Sequence, residues 1–314
     1  KKGQEYEGSI VERVKQKNEI ALCNIAAINL CRDMTDEEYE EACYYALRTV
    51  DYVIYNSEYP FPNVEYTSQQ RMSAGIGIMN YAYELARKGL FYTSEAAKKH
   101  SHFIAERHFY SLVKASLAIS KERGNAPWID RTKWPEGWLP IDTYEKNVDG
   151  IAQFEYRYDW EHLRSLVIAN KGIAHSSLAA YMPGESSSQN LNATNSIYPI
   201  REGNVLKTDG AKVNIFIAPQ WTTLQYNYES AWDIPVEDLA DHYAIFQKFT
   251  DQAISCDYYH DFTKGDGELG KKKLLMDFIY KHKLGIKTQY YTNSRTNDSE
   301  NEQESGCGGG GCSL

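Results

Sequence analysis

Apolar and polar positions alternate along this chain in blocks, some of strand length and some of helix length. The first strong block, Ile20–Leu30, is almost continuously apolar, which predicts a buried strand and the turn after it. Thr35-Asp36-Glu37-Glu38 then reads as a capping box, with Thr as N-cap and Glu three residues on. It opens a helix whose apolar positions are Tyr39, Ala42, Cys43, Ala46, Leu47 and Val50. Pro60 and Pro62 bracket a loop. The glycine-bearing stretch Arg71–Gly77 has neither dinucleotide nor Walker spacing, so close backbone packing is its expected use. A long helix is predicted from Ser94 to Gly124, followed by a Trp- and Pro-rich loop, Pro127–Asp142. Asp159 caps a further helix that runs to about Asn170 and stops at Gly172.

Ile173–Met182 predicts a strand that breaks at Pro183-Gly184 and enters the Ser-rich turn Glu185-Ser186-Ser187. Backbone N–H groups and hydroxyls at a helix start can hold an anion, although a solvated Ser-rich loop has the same pattern. A β-rich stretch including Val213–Ile217 comes next. Helices follow over Val236–Ser255 and Leu269–Leu284, the second stopped by Gly285, and Ile286–Tyr291 is the expected last strand. No internal repeat is present. Helices alternating with short apolar strands indicate an α/β fold with buried, parallel strands.

Composition narrows the class. With 314 residues and 42% hydrophobic content the chain can bury one large core or two modest ones. Its 34 basic and 43 acidic residues, net −9, argue against a general nucleic-acid or membrane-surface binder. No apolar run reaches the ~18 residues of a membrane span, and Lys1–Asn18 lacks a signal-peptide core, so a cytoplasmic location with reduced cysteines is expected. Cys31, Cys43 and Cys256 read as packed thiols, and so, taken alone, does Cys23.

The end of the chain changes the picture. Thr292–Ser305 has no aliphatic or aromatic residue to dock it and reads as a tether. Cys307 and Cys312, separated by four glycines, ride on it. Such a pair can close into a small disulfide ring and reopen, as a shuttling dithiol would. Incidental terminal cysteines are a second reading. A metal site is a third, poorly supported because two thiolates supply half of a tetrahedral zinc shell.

Taken together, the motifs Ala21-Leu22-Cys23-Asn24, Met182-Pro183-Gly184-Glu185-Ser186-Ser187, Asn192-Ala193-Thr194-Asn195, Lys287-Thr288-Gln289-Tyr290-Tyr291 and Cys307…Cys312 occur in one order and spacing. In this combination the sequence closely resembles the large (α, catalytic) subunit of class Ia ribonucleoside-diphosphate reductase, from about Glu19 to Leu314. The stretches Gly77–Ala86, Leu139–Tyr144 and Tyr158-Asp159-Trp160 are similar to that family as well. The family's effector-binding cone, specificity-site region and Asn-x-Cys-x-Glu radical motif have no counterpart. The resemblance is therefore to the C-terminal part of a divided large subunit, as in some phages, with residues 1–18 as a split-specific extension, 19–291 in the catalytic barrel and 292–314 as the redox tail.

The resemblance implies the C-terminal half of a ten-stranded α/β barrel with a flexible C-terminal tail. It implies that Cys23 is one of two cysteines that reduce the ribose, its partner lying on the complementary N-terminal fragment. Cys307 and Cys312 would re-reduce that pair and be served by thioredoxin or glutaredoxin. Tyr290 and Tyr291, otherwise ordinary half-buried aromatics, would pass an oxidising equivalent from a radical-generating small (β) subunit. Pro183, Gly184, Glu185, Ser186 and Ser187 would hold the diphosphate of a ribonucleoside diphosphate. Gly184 departs from the Ser or Thr usual there, which removes a hydroxyl and keeps the amides. No cofactor or metal is expected in this chain: a diiron-type tyrosyl radical belongs to the small subunit, and nucleotide effectors such as ATP to the N-terminal part. Other classes are a stand-alone dithiol oxidoreductase, which lacks a Cys-x-x-Cys at a helix start, and a catalytically inactive interaction module.

Overall fold

The computed structural model describes residues 19–22, 24–209, 212–265 and 268–296. Cys23, Cys307 and Cys312, together with the 1–18 extension, lie outside the described residues. Strand β1 (Asn24–Asn29) leads to α1 (Asp36–Asn56), whose capping box forms as expected: Glu38 N–H donates to Thr35 Oγ1 at 3.2 Å, and Thr35 N–H to Glu38 Oε2 at 2.8 Å. Tyr39, Cys43, Leu47 and Val50 on its inner face are buried. Pro62, expected to bracket a loop, is the first residue of α2 (Pro62–Arg71), where its missing N–H costs nothing. Strand β2 (Ala74–Met79) and α3 (Tyr81–Lys88) precede the 29-residue α4 (Glu95–Arg123), which starts at the Ser94 cap and ends at Gly124 as the pattern predicts. Short 3-10 turns fill the Trp-rich loop before α5 (Trp160–Ala169), capped by Asp159. The helix α6 (Glu185–Asn190), the antiparallel hairpin β3 (Asn204–Asp209) and β4 (Lys212–Ile217), and α7 (Trp221–Leu224) follow. They are succeeded by α8 (Val236–Lys248), β5 (Tyr258–Asp261), α9 (Lys271–Lys283) and β6 (Thr292–Arg295).

Five extended segments run parallel and neighbour one another in chain order. β1 pairs with β2, β2 bridges at Ile76 to Ala179, Tyr181 bridges to Ile254, and β5 pairs with β6. The segment around 177–182 is held by bridges and by backbone bonds such as Ile76 N–H to the Leu178 carbonyl at 2.8 Å, in place of the regular strand expected over Ile173–Met182. The α/β class is as predicted. Among the described residues the barrel is not closed: they hold five parallel segments with β1 and β6 at the two edges, and the ten-stranded barrel implied by the family resemblance is not seen in them. Gly77 shows why backbone packing matters here. A Cβ on it would sit 2.7 Å from the Ala180 carbonyl oxygen, so the 177–182 segment could not approach β2.

α4 reaches β2 through His108, which is paired at both ring nitrogens, whereas His102 Nε2 and Arg107 Nε on the same helix have no hydrogen-bond partner among the described residues. His108 Nε2 lies 2.9 Å from the Ile76 carbonyl, so that nitrogen donates, and Nδ1 accepts from the Tyr39 hydroxyl at 2.8 Å. His242 repeats the arrangement, with Nε2 donating to the Tyr92 carbonyl and Nδ1 accepting from Ser101. Burial lowers both imidazoles to about 4, so they are neutral at pH 7.

Three further expectations need correction. The first four residues of the expected tether, Thr292–Arg295, form β6 and pair with β5. The helix expected to reach Ser255 ends at Lys248, because Thr250 turns back to the Phe246 carbonyl and the Asp251 carboxylate accepts the Leu178 and Ala179 N–H groups. Cys31, expected to be packed, is exposed, whereas Cys43 and Cys256 are buried with thiols raised by desolvation.

Candidate active site

Two of the expected functional groups sit on the third and fifth of the parallel segments, with the segment through Ile254 and β5 between them. After Met182 the chain turns at Pro183-Gly184 into α6, whose first residues, Glu185, Ser186 and Ser187, are exposed. Asn195 fixes this turn: its Oδ1 accepts the Gly184 N–H at 2.6 Å and its Nδ2 donates to Glu185 Oε1 at 3.1 Å. Thr194 is fixed in turn by Asn80, which has a left-handed backbone (φ 74°) at the end of β2. Asn80 N–H donates to the Thr194 carbonyl at 2.8 Å, and Asn80 Oδ1 accepts the Thr194 N–H at 2.9 Å. Asn80 Nδ2 also donates to Asn29 Oδ1, at the end of β1. An asparagine chain thus ties the ends of β1 and β2 to the Ser-rich loop. Asn192–Asn195 is legible in the sequence as a motif, whereas Asn29 and Asn80 carry no site motif of their own. An Asn directly after an apolar strand was the only local signal for either.

The first turn of α6 has backbone donors without intrahelical partners, as every helix start does, and two hydroxyls beside them. The hydroxyl of Ser187 donates back to the Gly184 carbonyl at 3.3 Å. Beside this loop opens a cavity of about 550 Å³, lined among others by Glu185, Asn195, Tyr198, Trp232, Asp257 and Tyr259.

Tyr290 and Tyr291 lie on the outermost segment. Their ring centroids are 4.0 Å apart, tilted by 51°, and the Tyr290 hydroxyl is 3.1 Å from that of Tyr291. They are 42% and 40% exposed, open to a partner yet in contact with each other. This contact depends on a departure from the expected strand over Ile286–Tyr291. In a regular strand successive side chains point to opposite faces, whereas here the regular ladder starts only at Thr292. The segment is still anchored tightly. Tyr290 N–H donates to the Cys256 carbonyl at 2.9 Å, and Tyr258 N–H to that of Tyr291 at 3.0 Å. Tyr291 N–H donates to the Asp257 carboxylate at 3.2 Å, and the Thr288 hydroxyl bonds the Ile254 carbonyl. Lys287 Nζ donates to the carbonyls of Thr250, Asp251 and Gln252 at the turn after α8. Burial raises the carboxyls of both Asp251 and Asp257 to about 6.

Asp251 therefore links the two features: its carboxylate holds the segment that leads to Pro183, and its carbonyl holds Lys287 beside the tyrosines. Of the predicted site residues, Pro183–Ser187 form the turn and helix start after the third parallel segment, and Tyr290 and Tyr291 lie on the fifth. Cys23, Cys307 and Cys312 fall outside the described residues. Among the described residues no group of His, Cys, Asp and Glu has the arrangement of a metal site, and no helix is long and apolar enough to cross a membrane.

Comparison with known proteins places this arrangement. The chain matches the family described as "Ribonucleotide reductase, barrel domain" over residues 10–222 and 211–292. It is 39% identical over 303 residues, 95% of this chain and 40% of the relative, to "Ribonucleoside-diphosphate reductase subunit alpha" of Haemophilus influenzae. It is 37% identical to "Ribonucleoside-diphosphate reductase 1 subunit alpha" of Escherichia coli over 82% of this chain and 35% of the relative. The subunit alpha of Enterobacteria phage T4 is 32% identical over 91% of this chain and 36% of its own length. The chain thus spans about 40% or less of the length of these relatives. With the family match covering nearly its whole length, the chain belongs to the ribonucleotide reductase barrel-domain family.

Proposed function

We propose that this chain supplies the C-terminal part of a ribonucleoside-diphosphate reductase catalytic subunit. In this reading it turns over only when a complementary fragment provides the rest of the barrel and a small subunit provides the radical. The observation that carries the reading is the tyrosine pair, with rings 4.0 Å apart on an exposed outer segment. The open sheet supports the need for a complement, since β1 and β6 leave edges that a further strand can pair with. The relatives' names support ribonucleoside diphosphates as the substrate class.

Each residue then has a task. The first turn of α6 and the Ser186 and Ser187 hydroxyls bind the diphosphate, and Asn195 holds the loop in place. The small subunit's diiron-type tyrosyl centre supplies the oxidising equivalent. Tyr290 and Tyr291 relay it, each phenol giving up an electron and a proton together. Cys23 and a cysteine of the complementary fragment deliver two electrons and two protons as the 2′-hydroxyl leaves as water, and they end as a disulfide. Cys307 and Cys312 reduce that disulfide by exchange and are themselves restored by thioredoxin or glutaredoxin.

The tail tests the assignment separately from the radical chemistry. In the reconstituted complex, replacing Cys307 and Cys312 by Ser should leave the product of a single turnover intact. Thioredoxin-driven steady-state turnover should fall about tenfold or more. Dithiothreitol, which reaches the internal disulfide directly, should restore it. Unchanged thioredoxin-driven turnover would remove the tail from the mechanism.

A further inference from the structure

A second cleft, of about 370 Å³, opens where β1 ends and α1 begins, against α3 and α4, and shares no lining residue with the cavity beside Glu185. Four of its basic side chains are already engaged. Arg32 pairs with Glu38 at 3.1 Å, Lys88 with Asp33 at 2.9 Å, His100 with Glu84 at 3.1 Å and Arg157, loosely, with Asp36 at 3.6 Å.

Arg107 differs. It is 7% exposed, and among the described residues it is in no ion pair. One terminal nitrogen donates to the Met34 carbonyl at 3.1 Å, and the guanidinium lies over the Tyr39 ring at 4.2 Å and 5.1 Å from the centre of Phe103. Its buried Nε has no hydrogen-bond partner. A buried donor left unpaired is costly, and the ring contacts compensate for the charge but not for that hydrogen bond. Arg157 comes to the same Phe103 ring at 4.7 Å and is more than half exposed, so little holds it to Asp36. Two guanidiniums thus gather about one phenyl ring at the wall of a polar cleft.

We propose that this cleft binds a phosphoryl oxyanion, free phosphate or the phosphate of a small monoester, with Arg107 as forked donor and Arg157 as second cation. Nε and a terminal nitrogen of one guanidinium match two oxygens of a tetrahedral anion, and a planar fork is suited to this where a point charge is not. Of the carboxylates lining the cleft, Asp33 and Glu84 are held by Arg87 and Lys88 and Asp36 by Arg157, while Glu37 is in no ion pair among the described residues; Arg107 is the buried cation without a carboxylate partner. The site is independent of the reductase reading and would persist if that reading failed.

Calorimetric titration of this chain with sodium phosphate, against sodium chloride of equal ionic strength, tests the proposal. A parallel titration with ribose 5-phosphate distinguishes a monoester from the free ion as the better ligand. Saturable binding of either ligand at one site is expected, weakened about tenfold or more in Arg107→Met and severalfold in Arg157→Ala. Lys121→Ala, on the outer face of α4, should bind as the unaltered chain does. If Arg107→Met does not fold, Arg157→Ala decides. No saturable binding, or binding that neither arginine variant weakens, overturns the proposal.

Discussion

Tyr291→Phe is expected to abolish ribonucleoside-diphosphate reduction while leaving the fold intact. The phenyl ring fills the same space and keeps the ring contact with Tyr290. The backbone bonds that hold this residue, N–H to Asp257 and carbonyl to Tyr258, do not involve the hydroxyl. What is lost is the hydroxyl 3.1 Å from that of its neighbour and, with it, the proton that must leave as the ring is oxidised. A half-exposed hydroxyl contributes about 1 kcal/mol or less to stability. Turnover should fall by about 10³-fold or more, the size expected when a step has no alternative route. Steady-state product formation in the reconstituted complex, set beside the denaturation midpoint of the variant, separates the two effects. Turnover within a few-fold of normal would exclude Tyr291 from the relay.

Asp51→Ala should have the largest effect on stability. Asp51 is buried at the inner face of α1 and receives two hydrogen bonds from Arg123 at 2.8 Å and one contact from His175 at 3.0 Å. His175 is itself bonded to Ser116 at 2.8 Å. This resembles a Ser-His-Asp triad in composition only: Ser116 and His175 are buried in the core, with no path for a substrate. Removing the carboxylate leaves the buried imidazole and the partly exposed Arg123 guanidinium without their acceptor, at a cost of about 3 kcal/mol, measurable as a shift in denaturant midpoint.

The cluster also sets a pH response. Burial keeps the His175 imidazole below its ordinary value. The unfolded chain therefore takes up a proton, as pH falls through the ordinary histidine range near ~6.5, before the folded chain does, and stability declines. The Asp51 carboxyl is held below its ordinary value by His175 and Arg123 against the cost of burial. Its contribution is present above the ordinary carboxylate range and is lost only as pH drops further. Stability that rose on acidification from neutral pH to about 5 would contradict the lowering of the His175 imidazole by burial.

Local chemistry made much of this fold legible in advance. The Thr35 capping box, the Ser94 and Gly124 ends of α4 and the Asp159 cap are decided by residues within a few positions of one another. Gly77 was readable as a close approach, though not what approached it. What escaped was set by distant partners. The apolar pattern after α8 continues through Ala253 and Ile254, but Asp251 turns the chain by binding backbone 72 and 73 residues away. The Asn80–Thr194 contact spans 114 residues, so no window of sequence could show that these two residues hold the Ser-rich loop. The tyrosine pair was found by motif, yet the regular strand assigned to it would have put the two rings on opposite faces. The start of the β6 ladder at Thr292 is what allows them to touch.

The central claim is that this chain is one part of a divided catalytic subunit. It is tested most directly by measuring ribonucleoside-diphosphate reduction with the small subunit and a thioredoxin-type reductant, with and without a fragment carrying the complementary part of the barrel. Turnover only when both fragments are present is the predicted result. No turnover in the complete mixture, with both fragments shown to be folded and associated, would contradict it.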